Sequence, residues 1–343
     1  MKRICAVAFI HWLVNTNFIA WKGVGKMGCL SEKQSDAGTQ CPSGAVTRIH
    51  GEDGEAVTTR YPVFPGIDIL YNDVHASRCV MAWNGREGMF AIHHCWEGRI
   101  EYQMGDAYFY LAPGDLALGK CEDFRDVARF PTGHYHGITV CIDPEEAPEC
   151  LSCLLADVNV RPGAIRDKFC RDRVYFAKRS SPRVEHVFSE LYAVPEDIRA
   201  GYFKVKILEL LLFLTTLPAD EEIPIGCSRV QVQLAGEIRD YLRSNTEAKV
   251  TISALTAEFH VSPAQIKSSF QAVYGMSPAA YLRSRKMKSA AQLLRETDRT
   301  VLDIAGQFGY DNASKFAKAF RDVIGVSPAA YRMGIDADTC APA

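Results

Sequence analysis

Two stretches of this chain set small, amide and basic side chains at helical spacing: "SPAQIKSSFQ" from Ser262 and "NASKFAKAFR" from Asn312. In the first, Ile266, Ser269 and Phe270 are spaced to face inward, which leaves Ser262, Ala264, Gln265, Lys267, Ser268 and Gln271 outward. In the second, Phe316, Ala319 and Phe320 face inward and Asn312, Ala313, Ser314, Lys315, Lys318 and Arg321 are left outward. None of these outward residues is a carboxylate. Ammonium and guanidinium groups neutralise phosphates, while amides and hydroxyls reach base edges, so the chemistry on offer is non-covalent recognition of a nucleic-acid duplex. Arg285 and Lys286, between the two stretches, are expected to add phosphate contacts.

Other residues invite different chemistry. His93, His94, Glu97, His134 and His136 are metal-ligand types, but His93 and His94 are adjacent and point to opposite faces of a strand. "GHYHG" around His134 and His136 reads equally as a strand near a rim. Cys150 and Cys153 have Cys-x-x-Cys spacing without a second pair. "GVGK" at 23–26 lacks the earlier Gly and the following Ser or Thr of a phosphate loop. No catalytic residue, metal ligand or cofactor is therefore assigned, and an enzyme is not expected. Trp83, His93, Trp96, Tyr102 and Tyr108 are the candidates to line a small-molecule pocket.

The elements that position these groups follow from punctuation and period. From about 44 to 142 short aromatic runs alternate with polar residues between Gly-containing turns, the pattern of a small barrel or sandwich, and 44–182 is taken as that domain. Residues 183–217 change to helical period, broken near Pro195, and the second helix is apolar over most of its circumference. Residues 218–227 read as a linker and 334–343 as a tail. Residues 1–43 are expected to be a poorly ordered or extended start, with Met27 a candidate true beginning. The apolar run there is too interrupted to span a membrane.

Residues 228–333 read as short helices started by Ser228, Thr251, Ser262-Pro263, Ser277-Pro278 and Ser327-Pro328. They carry 15 Lys and Arg against 9 Asp and Glu, whereas the rest carries 24 against 32. A basic third on an acidic body points to a polyanion partner for that third. "YGMSPAAY" and "IGVSPAAY" repeat with an offset of 50, as do Phe270 and Phe320. Each copy is a short helix, a tight turn, a capped second helix, then Gly and a further helix: the helix-turn-helix arrangement.

"VSPAQIKSSF", "YGMSPAAYL", "KMKSAAQLL" and "DIAGQFGYDNASKFAKAFRDVIGVSP" resemble the DNA-binding domain of AraC/XylS-family transcription regulators. Ser268 stands where many members have Arg, Lys286 at a usual Arg, and Thr256 at a common Ala. The resemblance implies an α+β chain: an N-terminal cupin-like barrel holding a small-molecule effector, connector helices that pair a homodimer, and a C-terminal all-α domain on promoter DNA. It also implies a cytoplasmic protein that meets RNA polymerase if it activates. A cupin-type metal sensor or enzyme fused to the DNA-binding domain is the alternative.

Overall fold

The computed structural model describes residues 44–51, 53–81, 85–104, 107–121, 127–151, 159–171, 175–219, 226–246 and 250–334. Expectations for 1–43, Trp83, Cys153, 220–225 and the tail beyond Gly334 fall outside these residues. Two compact units divide between Gly226 and Cys227.

The N-terminal unit is built on antiparallel strands β1 (Ala45–His50), β2 (Glu55–Phe64), β3 (Ile67–His75), β4 (Arg78–Cys79), β5 (Phe90–Gly98), β6 (Ile100–Met104), β7 (Ala107–Leu111), β8 (Asp115–Lys120), β9 (Ala128–Arg129), β10 (Tyr135–Ile142) and β11 (Tyr175–Arg179). The larger sheet has the order β1-β2-β3-β10-β5-β8-β11. In the smaller one β6 pairs with both β7 and β9, and β9 with β4. Among the described residues neither ladder returns on itself, so of the barrel and sandwich read from the sequence the architecture is the two-sheet form, with no closed barrel.

The reason lies in β5, whose first six residues are all buried. Phe90 and Ile92 join a core that also holds Phe188 and Leu210, whereas Ala91 and Cys95 join another with Tyr102 and Phe109. A sheet apolar on both faces needs cover on both. Helices α1 (Pro162–Cys170), α2 (Pro182–Tyr192) and α3 (Arg199–Thr216) cover one face. Ser181 caps α2 by accepting from the Val184 amide. Along α3, Phe203, Ile207, Leu210, Leu211 and Leu214 are buried in that same core. α1 lies beyond the strand-like stretch, which ends near Ile142, and within the segment assigned to the barrel domain. Among the described residues no helix is long and apolar enough to cross a membrane.

The C-terminal unit is helical: α4 (Arg229–Ser244), α5 (Ile252–Phe259), α6 (Pro263–Tyr274), α7 (Pro278–Glu296), α8 (Val301–Gln307), α9 (Ala313–Ile324) and α10 (Pro328–Arg332). Each of these helices has a Ser, Thr or Asn side chain accepting an amide hydrogen at its start. Such caps satisfy donors that the first turn leaves unpaired, worth about 1 kcal/mol each. α6 and α9 end on Gly275 and Gly325, both in the left-handed region at φ 71° and 94°. α7 is common to both copies, packing against α4 and α6 on the first side and α8 to α10 on the second.

Candidate nucleic-acid interface

The repeated "SPAAY" has a packing role in both copies. Gly ends the second helix of each helix-turn-helix, Ser caps the next, and the Tyr returns against the Phe of the helix just ended. Phe270 and Tyr281 meet edge-on with ring centroids 5.5 Å apart, Phe320 and Tyr331 at 5.6 Å. Phe270, Phe316 and Phe320 are fully buried, as is Ile266. The inner faces of α6 and α9 are thus fixed, and their opposite faces are set by helical period.

Those opposite faces are open. Ser262, Ala264, Gln265, Lys267, Ser268 and Gln271 are exposed on or beside α6. Asn312, Ala313, Ser314, Lys315, Lys318 and Arg321 are exposed on or beside α9. Ser269 is buried and Ala319 half-buried. Among the described residues no carboxylate pairs with the side chains of Lys267, Lys315, Lys318 or Arg321. Asp322 is also exposed, in the last turn of α9, and is the one carboxylate there.

The polar groups of α6 are partly committed. Ser262 and Gln265 form a reciprocal capping box: the Gln265 amide donates to Ser262 Oγ at 3.2 Å, and Gln265 Oε1 accepts from the Ser262 amide at 3.1 Å. Ser268 Oγ donates to the Gln265 carbonyl and Gln271 Nε2 to the Gly275 carbonyl, at 3.2 and 2.7 Å. On α9, Asn312 Oδ1 accepts from the Ser314 and Lys315 amides at 2.8 and 3.2 Å.

Lys286 departs from its sequence assignment. Its side chain is buried, and Nζ donates to the Phe308 carbonyl at 3.0 Å. It lies on the inward stripe of α7 with Leu282, Ala290 and Leu294, all buried. A lysine there closes the C-terminal end of α8, where carbonyls lack helical partners. Arg285, one position earlier, is exposed.

The proposed pocket residues do not gather. His93 and Tyr102 lie between the two sheets, ring centroids 5.9 Å apart. Trp96 lies on the helix-covered side against Tyr192, at 4.7 Å. Tyr108 is next to Phe109 on β7 and so points to the other face of the smaller sheet from that core residue. Strand alternation, not visible as hydropathy in a doubly buried strand, separates them. A row of buried polar groups does run between the sheets. Thr58 Oγ1 donates to Asn72 Oδ1, Asn72 Nδ2 to Thr139 Oγ1, and His93 Nδ1 lies 3.1 Å from Thr139 Oγ1. Complete burial pushes His93 down to about 3, so its ring is neutral at physiological pH. His94, on the opposite face, stacks on Phe188 at 4.1 Å and contacts Glu185 at 3.0 Å.

Residues 255–334 match a family model described as a helix-turn-helix domain. The transcriptional activator RhaR of Pectobacterium carotovorum is 35% identical over 91 residues, 26% of this chain and 32% of its own. The transcriptional activator AarP of Providencia stuartii is 28% identical over 116 residues, 33% of this chain and 86% of its own. The C-terminal unit is an AraC-type helix-turn-helix domain. The crystal structure of a probable AraC family regulator from Rhodopseudomonas palustris is 28% identical, covering 30% of this chain and 98% of that one, with a TM-score of 0.29. This chain spans about a third of the length of several curated relatives that it matches. In the AraC-type domain of this chain, Lys286 is turned inward, away from the surface where sequence reasoning placed it, while Gln265 is exposed as expected and bound into its own helix cap.

Proposed function

We propose that the chain is a sequence-specific transcription regulator whose α6 and α9 enter successive major grooves of promoter DNA. The observation that carries this reading is the pair of capped, inwardly sealed helices whose outward cations pair with no carboxylate among the described residues. α7 has 19 residues, a rod of about 28 Å at the usual rise. That length suits two reading helices about one duplex turn, roughly 34 Å, apart. Lys267, Lys315, Lys318, Arg321 and Arg285 then serve the phosphates, and Ala264, Ala313 and Ser314 lie close to base edges.

Two further parts of the reading have narrower support. Val205 and Leu212, seven residues apart on α3, stay 60% and 40% exposed on the face of the helix opposite its buried stripe. They form the stripe through which a homodimer would pair. A small-molecule effector would meet His93, Tyr102 and the Thr58–Asn72–Thr139 row between the sheets, and its binding would shift the balance between DNA-competent arrangements. Contact with RNA polymerase follows if the regulator activates.

The test is titration of the full chain against its own upstream region at several salt concentrations. Affinity falls steeply as salt rises. The Lys315→Ala/Lys318→Ala variant lowers the log–log slope by about 2 and Lys267→Ala by about 1. A salt-independent affinity would remove the proposed docking mode.

A further inference from the structure

Away from the DNA-binding unit, three neighbouring strands bring five ionisable side chains to one end of one sheet face. His136 on β10 stands directly opposite Asp73 on β3 and opposite Glu97 on β5. A bulge between His136 and Gly137 sets the second of these pairings. His75 lies two residues past Asp73 and so shares its face, while His134 lies two before His136. The face is the helix-covered one, since His136 alternates in phase with Ile138 and Val140 of that core.

The geometry is convergent. Asp73 Oδ1 lies 3.0 Å from His75 Nε2 and 3.1 Å from His136 Nδ1. One ligand atom from each of the three residues falls within 4.8 Å of the others. The His75 and His136 rings are 5.2 Å apart, centroid to centroid. We propose that Asp73, His75 and His136 bind a divalent transition-metal ion of the Zn2+ type. Bonds of about 2.0–2.2 Å to such an ion separate tetrahedral ligand atoms by about 3.3 Å, a few tenths beyond the spacings seen. Two imidazoles and one carboxylate suit zinc, cobalt or nickel, whereas calcium and magnesium prefer oxygen alone. Three protein ligands leave a coordination position for water or a small donor. Glu97 and His134, 3.6 Å apart, stand beside it.

Of the histidines that the sequence singles out, His136 belongs to this set. His93, between the sheets, takes no part in it. Two of its ligands come from an Asp-x-His on β3, and the site exists only through the β3–β10 register. His136 and Asp73 are 14% and 16% exposed, so two ligands are preorganised, while His75 at 60% is free to complete the set.

The experiment uses the full chain, stripped with a chelator and titrated with Co2+ alone. The expected result is a visible ligand-field spectrum saturating at one equivalent, without an intense near-ultraviolet thiolate band, and displaced by Zn2+. His75→Asn removes an exposed ligand without touching the core and weakens binding by more than about tenfold; His75→Asn with His136→Gln weakens it by more than about 100-fold. No ligand-field spectrum in the wild-type chain would overturn the proposal. So would a thiolate-type spectrum unchanged by His75→Asn, which would place the metal on cysteines.

Discussion

The two helix-turn-helix copies share a plan and divide its work unequally. In the first, the side chains of Gln265, Ser268 and Gln271 bond to their own helix or its caps, and Lys267 is the cation left outward on α6. In the second, Lys315, Lys318 and Arg321 all point out from α9, and the cap is handled by Asn312 outside the helix. The turns differ as well. His260 holds a left-handed conformation at φ 52° where the second copy has Gly309 at φ 78°. The first copy spends polar groups on holding its shape, and the second leaves them for a partner.

The largest test of this comparison concerns the shared interior. Phe270→Ala and Phe320→Ala each empty a fully buried site, at a cost of about 3–5 kcal/mol. Thermal unfolding of the full chain should show both variants strongly and similarly destabilised; a mild effect in either would mean that the copies are not packed alike. Next is Lys286→Met, which leaves the Phe308 carbonyl without the ammonium and costs about 1–3 kcal/mol. Its effect should appear in denaturant unfolding and leave the salt slope of DNA binding unchanged. A slope lowered by about 1 would return Lys286 to the phosphates.

The smallest effect concerns the turns. Gly309→Ala forces a side chain into left-handed backbone and destabilises by more than about 1 kcal/mol, whereas His260→Gly relieves that strain and stabilises by less than about 1 kcal/mol. Melting temperatures moving in opposite directions would confirm that the same conformation is met by different residue types in the two copies.

Most of the C-terminal unit was legible because its signals are local. A Ser, Thr or Asn cap acts on amides two or three residues away, and a Gly acts at its own position, so Ser262, Ser277, Asn312, Gly275 and Gly325 announce helix ends directly. Lys286 was misplaced because charge was weighed above register. The spacing of Leu282, Lys286, Ala290 and Leu294 already puts it on the buried stripe. The N-terminal unit was harder for a physical reason. β5 is buried on both faces, so its text does not alternate, and Trp96 cannot be told from His93 by pattern. Asp73 and His136 are 63 residues apart, and only strand pairing shows that they are neighbours.

α7 gives a last consequence. Because both copies rest on this one unbroken helix, their mutual orientation is a matter of residue count. Adding a single residue within it would turn one copy relative to the other by about 100° and move it about 1.5 Å. Side chains on α6 and α9 can therefore diversify without disturbing the scaffold, while the length of α7 fixes the phase between the two reading surfaces. On the proposed reading, new operators would be reached by changing letters, not by changing the spacing between them.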